Sequence, residues 1–449
     1  MQLDPTSGSI RYKDIFMQHL IACSLLVVIV QSAAAQTTFH GNNARTGVYQ
    51  SSGPKTLKGV KWQFKTGGAI VSSPAVADGV LYIGSADGAL YTVDQKSGQQ
   101  KWKAQTRGPV ASSPAVAEGM VFFLSYDGGF YCLDAKTGAR KWRYATGYER
   151  RFEAKRLHGS TPAEQTVPDP HDVFLSSPAF LNGRVYFGSS DGNIYALEAK
   201  TGLLQWKFET KGIVHASPAI AGNTIYIGSW DSYLYALDVE TGAEKWRFKT
   251  GEDPIIYNQV GFQSSPAVVD GVVYVGCRDA HLYAIDAQTG RKKWDYPTSK
   301  SWVNVTPAVS DGSVYFATGD TRRFHAVEAA TGRLRFTVPV LTVIFSSPAI
   351  ADGVAYFGNL NGSLYAVDIK TGSVAWEFQT EASKKDPLQF LNPDRTRKNE
   401  LSIFEFNDFE DMYVYWYKNF SLGAIVSSPV VDQGEVYFGS TDGNLYALY

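Results

Sequence analysis

The strongest constraint on the fold is a short motif that recurs eight times along the chain, about every 40 residues. It reads Ser-Ser-Pro or a close variant, and its copies lie at residues 72–74, 112–114, 176–178, 216–218, 264–266, 305–307, 346–348 and 427–429. Repeats of this length indicate small units that bury their apolar surface only by packing on neighbouring units. The repeat therefore replaces the two or three domains that 449 residues would suggest at about 150 residues each.

Each unit has the pattern of four short strands joined by tight turns. In the first unit, the apolar segments 80–84 and 90–94 flank the turn Asp87-Gly88, which is a strong hairpin signal. A single four-stranded sheet cannot bury both faces, whereas sheets stacked around an axis can. We expect an all-β fold, an eight-bladed β-propeller of four-stranded antiparallel blades over residues 60–449.

The two ends of the chain are expected to close the ring together. The last unit stops at residues 446–449, after its third strand, and a matching fourth strand, 61–64, precedes the first motif. The sequence thus predicts that the N-terminal strand completes the eighth blade. Residues 36–59 form a lead-in before it.

A Tyr-containing third strand, a Thr-Gly turn and then a tryptophan recur at residues 195–206, 235–246, 283–294 and 365–376. This pattern resembles the tryptophan-docking repeat of the pyrroloquinoline quinone (PQQ) propeller family, and the resemblance covers nearly all of residues 60–449. In that family the tryptophan packs between adjacent blades. The resemblance implies this structural role for Trp62, Trp102, Trp142, Trp206, Trp246, Trp294 and Trp376, and for Phe336 in the sixth blade.

The resemblance leaves two functions open. One is an exported binding or scaffold protein, as in the noncatalytic members that include the BamB-like propellers of outer-membrane assembly. The other is a PQQ- and calcium-dependent quinoprotein dehydrogenase that oxidises an alcohol or a sugar. Those enzymes carry an adjacent cysteine pair, which the three cysteines of this chain do not form. Common metal and nucleophile motifs are also missing, so the sequence names no catalytic residue, no metal ligand and no assured cofactor.

Insertions and polar exceptions to the repeat predict where a site would lie. The insertions, about 148–174, 252–262 and 381–422, all follow a fourth strand and therefore share one face. The exceptional residues on that face cluster in blades four to six: His215, Trp230, Gln263, Arg278, Asn304, Arg322 and Arg323. They predict a cationic pocket mouth in which Arg278 pairs with a carboxylate or phosphate and Trp230 stacks on a ring or sugar. The alternative is a wet channel that binds only water.

Two of the insertions have a character of their own. The first mixes basic and acidic residues and is expected to be a solvated loop. The last has eight aromatic residues within 401–420, which predict either a lid packed on the propeller or a binding flap.

Location and partners follow from the N-terminus and the charge. Residues 20–30 form an apolar run, which is too short for a membrane-spanning helix of roughly 20 residues. The run is followed by the small residues Ala33, Ala34 and Ala35, as in a signal-peptide cleavage site. We expect a signal peptide over residues 1–35 that begins at Met1 or Met17, cleavage near Ala35 and a periplasmic or secreted protein. The 42 basic and 43 acidic residues argue against nucleic acid. The expected partner is an envelope protein or a small polar ligand, bound by a monomer without a transmembrane segment.

Overall fold

The computed structural model describes residues 37–157, 160, 162–251, 261–385 and 418–449. The predicted signal peptide, most of the second insertion and most of the aromatic segment 401–420 lie outside these residues. Residues 34–449 form one compact unit. The described part is built mainly of strands, together with the short helix Glu381–Lys385 and a helical segment at residues 418–421.

Eight antiparallel sheets account for the repeat, which confirms the predicted eight-bladed propeller. The first strands of the blades are Ala75–Ala77, Ala115–Ala117, Ala179–Leu181, Ala219–Ala221, Ala267–Val269, Ala308–Ser310, Ala349–Ala351 and Val430–Asp432. The second strands are Val80–Gly84, Met120–Ser125, Arg184–Gly188, Thr224–Gly228, Val272–Gly276, Ser313–Ala317, Val354–Gly358 and Glu435–Gly439. The third strands are Ala89–Asp94, Gly129–Asp134, Asn193–Glu198, Tyr233–Asp238, His281–Asp286, Arg323–Glu328, Ser363–Asp368 and Asn444–Leu448. The fourth, outer strands are Gln100–Gln105, Arg140–Ala145, Leu204–Glu209, Glu244–Lys249, Lys292–Pro297, Leu334–Pro339, Val374–Gln379 and Val60–Lys65.

The ring is closed by the outer strand of the eighth blade, as the sequence predicted. Val60–Lys65 pairs antiparallel with Asn444–Leu448, and Trp62 lies opposite Ala447. The backbone N–H of Lys58 donates to the carbonyl of Tyr449 at 2.8 Å. The two ends of the propeller therefore share one sheet, and that blade presents no open seam.

The recurring motif forms a ring of hydrogen bonds around the axis. The second-last residue before the inner strand is buried, and in seven of these motifs its backbone N–H donates to a side-chain hydroxyl of the neighbouring blade. At distances of 2.8–3.0 Å, these bonds join Ser73 to Ser113, Ser113 to Ser177, Ser177 to Ser217, Ser217 to Ser265, Thr306 to Ser347, Ser347 to Ser428 and Ser428 to Ser73. The motif thus fastens neighbouring inner strands, which explains why it recurs in every blade.

The outer parts of neighbouring blades are joined by the docking tryptophans. Each indole N–H below donates at 2.9–3.2 Å to a backbone carbonyl of the next blade: Trp62 to Gln95, Trp102 to Ala135, Trp142 to Ala199, Trp206 to Val239, Trp246 to Ala287 and Trp294 to Ala329. The ring lies against a turn glycine; a Cβ atom on Gly242, whose φ is +72°, would stand 2.6 Å from the ring of Trp206. Glycine is therefore required there both for the turn and for the contact.

Two blades depart from this pattern. Trp376 donates instead to Pro54 of the lead-in at 2.7 Å, because the turn that would receive it is divided between the two ends of the chain. Phe336 packs on Gly372 like the tryptophans but has no N–H to donate to the next blade.

The lead-in closes the end of the axis at which the inner strands finish. Its strand, Val48–Tyr49, pairs in parallel with the inner strand of the seventh blade. The fully buried Arg45 donates to the carbonyls of Phe39, Ser177 and Pro218 at 2.7–2.9 Å, and burial lowers its pKa to about 9. The lead-in is thus anchored to the centre of the ring and not only to its eighth blade.

Candidate functional site

The first insertion, residues 148–174, lies across the opposite end of the axis, and we call it the strap. Its centre is a hairpin of Glu153–Lys155 and Thr166–Pro168, paired antiparallel. The sequence predicted a solvated loop, and this is wrong for the inner side of the strap. Asp169 and Asp172 are fully buried there, because their carboxylates meet cationic side chains of the propeller.

Arg278 is fully buried under the strap. Its guanidinium lies between the rings of Trp230 and Trp302, 4.4 Å from each ring centre. It forms an ion pair with Asp169 at 2.5 Å and donates to the side-chain carbonyl of Gln263 at 2.7 Å. Cation–π contacts on two sides fix the plane of the guanidinium, and the carboxylate neutralises its charge.

Trp230 receives an aromatic partner from the same strap. Phe152 stacks on it with ring centres 4.1 Å apart and an interplanar angle of 11°. The sequence expected Trp230 to stack on a ring and Arg278 to meet a carboxylate. In the structure, the chain itself supplies both partners, and the predicted open pocket mouth is covered.

His215 forms a second buried polar contact with the strap. Its Nδ1 lies 2.8 Å from Asp172, and its Nε2 lies 2.6 Å from the hydroxyl of Ser190, which also lies 2.8 Å from Glu149. Burial lowers the pKa of His215, but the carboxylates of Asp172 and Glu149 outweigh burial, so the net shift is upward. Burial raises the pKa of Glu149 despite its hydrogen bonds to Ser189 and Ser190. The imidazole therefore connects Asp172 of the strap to Ser190 of the third blade.

The series Ser190, His215 and Asp172 has the connectivity of a nucleophilic triad. Its surroundings indicate a structural role instead. The Ser190 oxygen also accepts the backbone N–H of Arg150 at 3.0 Å and is within 2.9 Å of the Arg150 carbonyl. The residue is 2 % exposed, so a substrate carbonyl has no room to approach it.

The far end of the strap lies over the axis. The His171 carbonyl accepts a hydrogen bond from Gln263 at 2.7 Å, and the His171 ring contacts Trp302 edge-on and Phe345 nearly parallel. Beneath it is an axial cavity of about 30 Å³, room for roughly two water molecules. The cavity is lined by the motif hydroxyls, His215, Gln263 and Asn304, and by aromatic side chains at its ends.

Three of the predicted site residues lie outside the strap contacts. Asn304 is 7 % exposed and borders the axial cavity, where neither atom of its amide has a partner among the described residues. Arg323 is exposed and donates to Thr337 of its own blade at 3.2 Å, while Arg322 donates to the Leu341 carbonyl at 3.5 Å. In the structure, the candidates that lie together beneath the strap are His215, Trp230, Gln263 and Arg278. The other three candidates lie outside this cluster.

Sequence reasoning missed the strap residues that complete the cluster, Glu149, Phe152, Asp169 and Asp172, and their neighbours Ser190 and Trp302. The sequence feature that could have indicated these contacts is the set of acidic residues in an insertion on the same face as Arg278. The basic residues among them, Arg150, Arg151, Lys155 and Arg156, concealed it by making the segment look evenly charged.

The described residues do not fit PQQ or calcium. The axial cavity of about 30 Å³ is far too small for a tricyclic quinone, and Phe152 and Asp169 already contact Trp230 and Arg278. The strap carboxylates already accept hydrogen bonds, and the described part holds no cluster of three His, Cys, Asp or Glu residues suited to a metal. Cys132 and Cys277 are buried free thiols in different blades.

The ring of motif hydroxyls and docking tryptophans defines a PQQ-like β-propeller. A family model described as outer membrane protein assembly factor BamB matches residues 55–167, 151–306 and 301–397. The chain belongs to this family.

Individual relatives are more distant. BamB from Moraxella catarrhalis superimposes with a TM-score of 0.64 and 16 % identity over 88 % of this chain and 99 % of that one. A europium-containing methanol dehydrogenase gives 0.65 and 16 % over 91 % of this chain and 96 % of that one. The serine/threonine-protein kinase AfsK of Streptomyces griseus is 41 % identical over 86 residues, which are 18 % of this chain and 10 % of the kinase. No described helix is long and apolar enough to cross a membrane.

Proposed function

We propose that this protein is an exported, noncatalytic propeller that holds a partner protein of the cell envelope on the face that carries its insertions. The observation that supports this most is the occupied centre of that face. Phe152 and Asp169 fill the position over Arg278 and Trp230 at which a small ligand would otherwise bind. While the strap is in place, the surface available to a partner is the outer side of the strap and of its neighbouring loops.

Two further observations support binding over catalysis. Tyr148, at the start of the strap, is 55 % exposed, and exposed aromatic side chains are enriched at protein interfaces. The family model is described as an outer membrane protein assembly factor, a role that requires contacts with proteins.

Site-directed photocross-linking tests the proposal on the intact chain. A benzophenone side chain at position 148 should give one discrete cross-linked product in envelope preparations. The same group at position 203 is the matched control, because Leu203 is 62 % exposed but lies in a turn on the opposite face. Equal products from both positions, or none from position 148, would contradict a partner on the strap face.

The dehydrogenase alternative is tested separately. Purified protein mixed with PQQ and calcium should show neither quenching of tryptophan fluorescence nor alcohol-dependent reduction of an artificial electron acceptor. Dye reduction that depends on both additives would overturn the noncatalytic proposal.

A further inference from the structure

The surface under the strap is organised by the propeller itself. Trp230 and Trp302 hold the Arg278 guanidinium from two sides, and Gln263 fixes one of its nitrogens. All four residues belong to the fourth and fifth blades or to the loop that follows the fifth. A receptor whose groups are already in place loses little conformational entropy on binding.

The strap contributes the complementary groups. Phe152 covers the ring of Trp230, Asp169 neutralises Arg278, and Asp172 lies against His215. One ring, and two carboxylates that are three positions apart in the chain, therefore describe what this surface recognises. The strap shows that an acidic peptide with an aromatic side chain fits it.

The attachment of the strap is suited to exchange. Its hairpin has only three residues in each strand, and a two-stranded hairpin of that size is marginal without support. Beside the stacking of Phe152, its contacts with the propeller include the polar contacts of Asp169 with Arg278 and of Asp172 with His215. Because the strap is tethered at both ends, it competes at an effective concentration in the millimolar range, and modest contacts suffice to hold it.

We propose that this surface is a recognition site for an acidic, aromatic segment of the partner protein, and that the strap occupies the site in cis until such a segment displaces it. The inference rests on the partner-binding function above and adds the chemistry of the bound segment. The strap is then an autoinhibitory ligand, and its release exposes Arg278 and Trp230 together.

The test uses the full-length chain and a fluorescent synthetic peptide with the sequence of residues 149–173. Phe152→Ala weakens the competing strap but leaves the receptor intact, so the peptide should bind this variant at least tenfold more tightly than the wild type. Glu149→Gln, which weakens the hydrogen bonds that Glu149 accepts from Ser189 and Ser190, should act in the same direction. Leu203→Ala is the matched control, because this exposed side chain on the opposite face should leave affinity at the wild-type value.

A second peptide checks the chemistry of recognition. Replacing the residues that correspond to Asp169 and Asp172 by asparagine should weaken binding to the Phe152→Ala chain at least tenfold. Saturating unmodified peptide should also accelerate tryptic cleavage of the wild-type strap after Lys155 and Arg156, which are exposed.

Two outcomes would overturn the inference: no binding by strap variants that keep the wild-type circular dichroism spectrum, or equal binding of both peptides. A product from position 148 without peptide binding would preserve the proposed function and refute displacement of the strap. Peptide binding without a cross-linked product from position 148 would support displacement of the strap and contradict the proposed partner on the strap face.

Discussion

Exchanging a docking tryptophan for phenylalanine, and the natural phenylalanine for tryptophan, tests how the blades are joined. Trp206 is 9 % exposed and donates to the Val239 carbonyl at 3.1 Å. Trp206→Phe removes that donor and leaves the carbonyl unsatisfied in a buried joint. Phe336 resembles this state, because it packs on Gly372 and has no N–H to donate to the next blade.

The magnitudes follow from the hydrogen bond and the ring. A net hydrogen bond contributes about 1 kcal/mol, and an unsatisfied buried acceptor costs about 1–3 kcal/mol. Trp206→Phe should therefore lower the free energy of unfolding by about 2–3 kcal/mol, because the smaller ring also loses packing. Phe336→Trp should raise it by about 1 kcal/mol, since it restores the missing donor.

Equilibrium unfolding in urea, followed by circular dichroism, measures both changes. Trp62→Phe in the closing blade should resemble Trp206→Phe, because its indole donates at 3.0 Å to Gln95. The reasoning fails if Phe336→Trp does not stabilise the protein and Trp206→Phe lowers stability by less than about 0.5 kcal/mol, the range of ordinary surface substitutions.

Three further predictions concern the strap and the closure. Because the pKa of His215 is raised on folding, its stabilisation is complete below an unfolded pKa of about 6.5 and is lost as pH rises through the folded value. In urea titrations, wild type should therefore lose more stability than His215→Gln as the pH rises above about 6.5; parallel losses would contradict this. Asp169→Asn should lower stability by about 3–5 kcal/mol by leaving Arg278 buried and unpaired, and adding Arg278→Gln should recover part of the loss in a double-mutant cycle. If adding Arg278→Gln recovers none of the lost stability, the ion pair with Arg278 is not the main contact of Asp169. Deleting residues 36–66 removes the strand that completes the eighth blade and should abolish the cooperative thermal transition; an unchanged melting temperature would refute closure.

The fold was predictable because it repeats. A motif that returns every 40 residues marks equivalent positions, so the strand order, the blade number and the pairing of residues 60–65 with the last strand could all be predicted from the sequence. The tryptophan contacts also repeat from blade to blade, except where the turn that receives the indole is divided between the two ends of the chain. There Trp376 meets Pro54, a residue with no counterpart in the other units.

The site was only half predictable for the same reason. Arg278 and Trp230 stand out against seven other units, so their unusual character was visible. Asp169 and Phe152 lie in an insertion that occurs once, and nothing repeats there to compare them with. The ion pair between Asp169 and Arg278 joins positions far apart in sequence, and local charge balance does not show which acids turn inward.

The shared eighth blade has a consequence for the order of folding. Each of the first seven blades can form from its own consecutive residues, but the eighth needs residues 60–65 and 444–448 together. Residues 60–65 therefore remain unpaired until the chain between them and residues 444–448 has been synthesised or transported. Contacts so distant in sequence form slowly, because the loop must close before they contribute. During that interval, the exposed edge of this strand is the part of the molecule most prone to pair wrongly or to be bound by a chaperone.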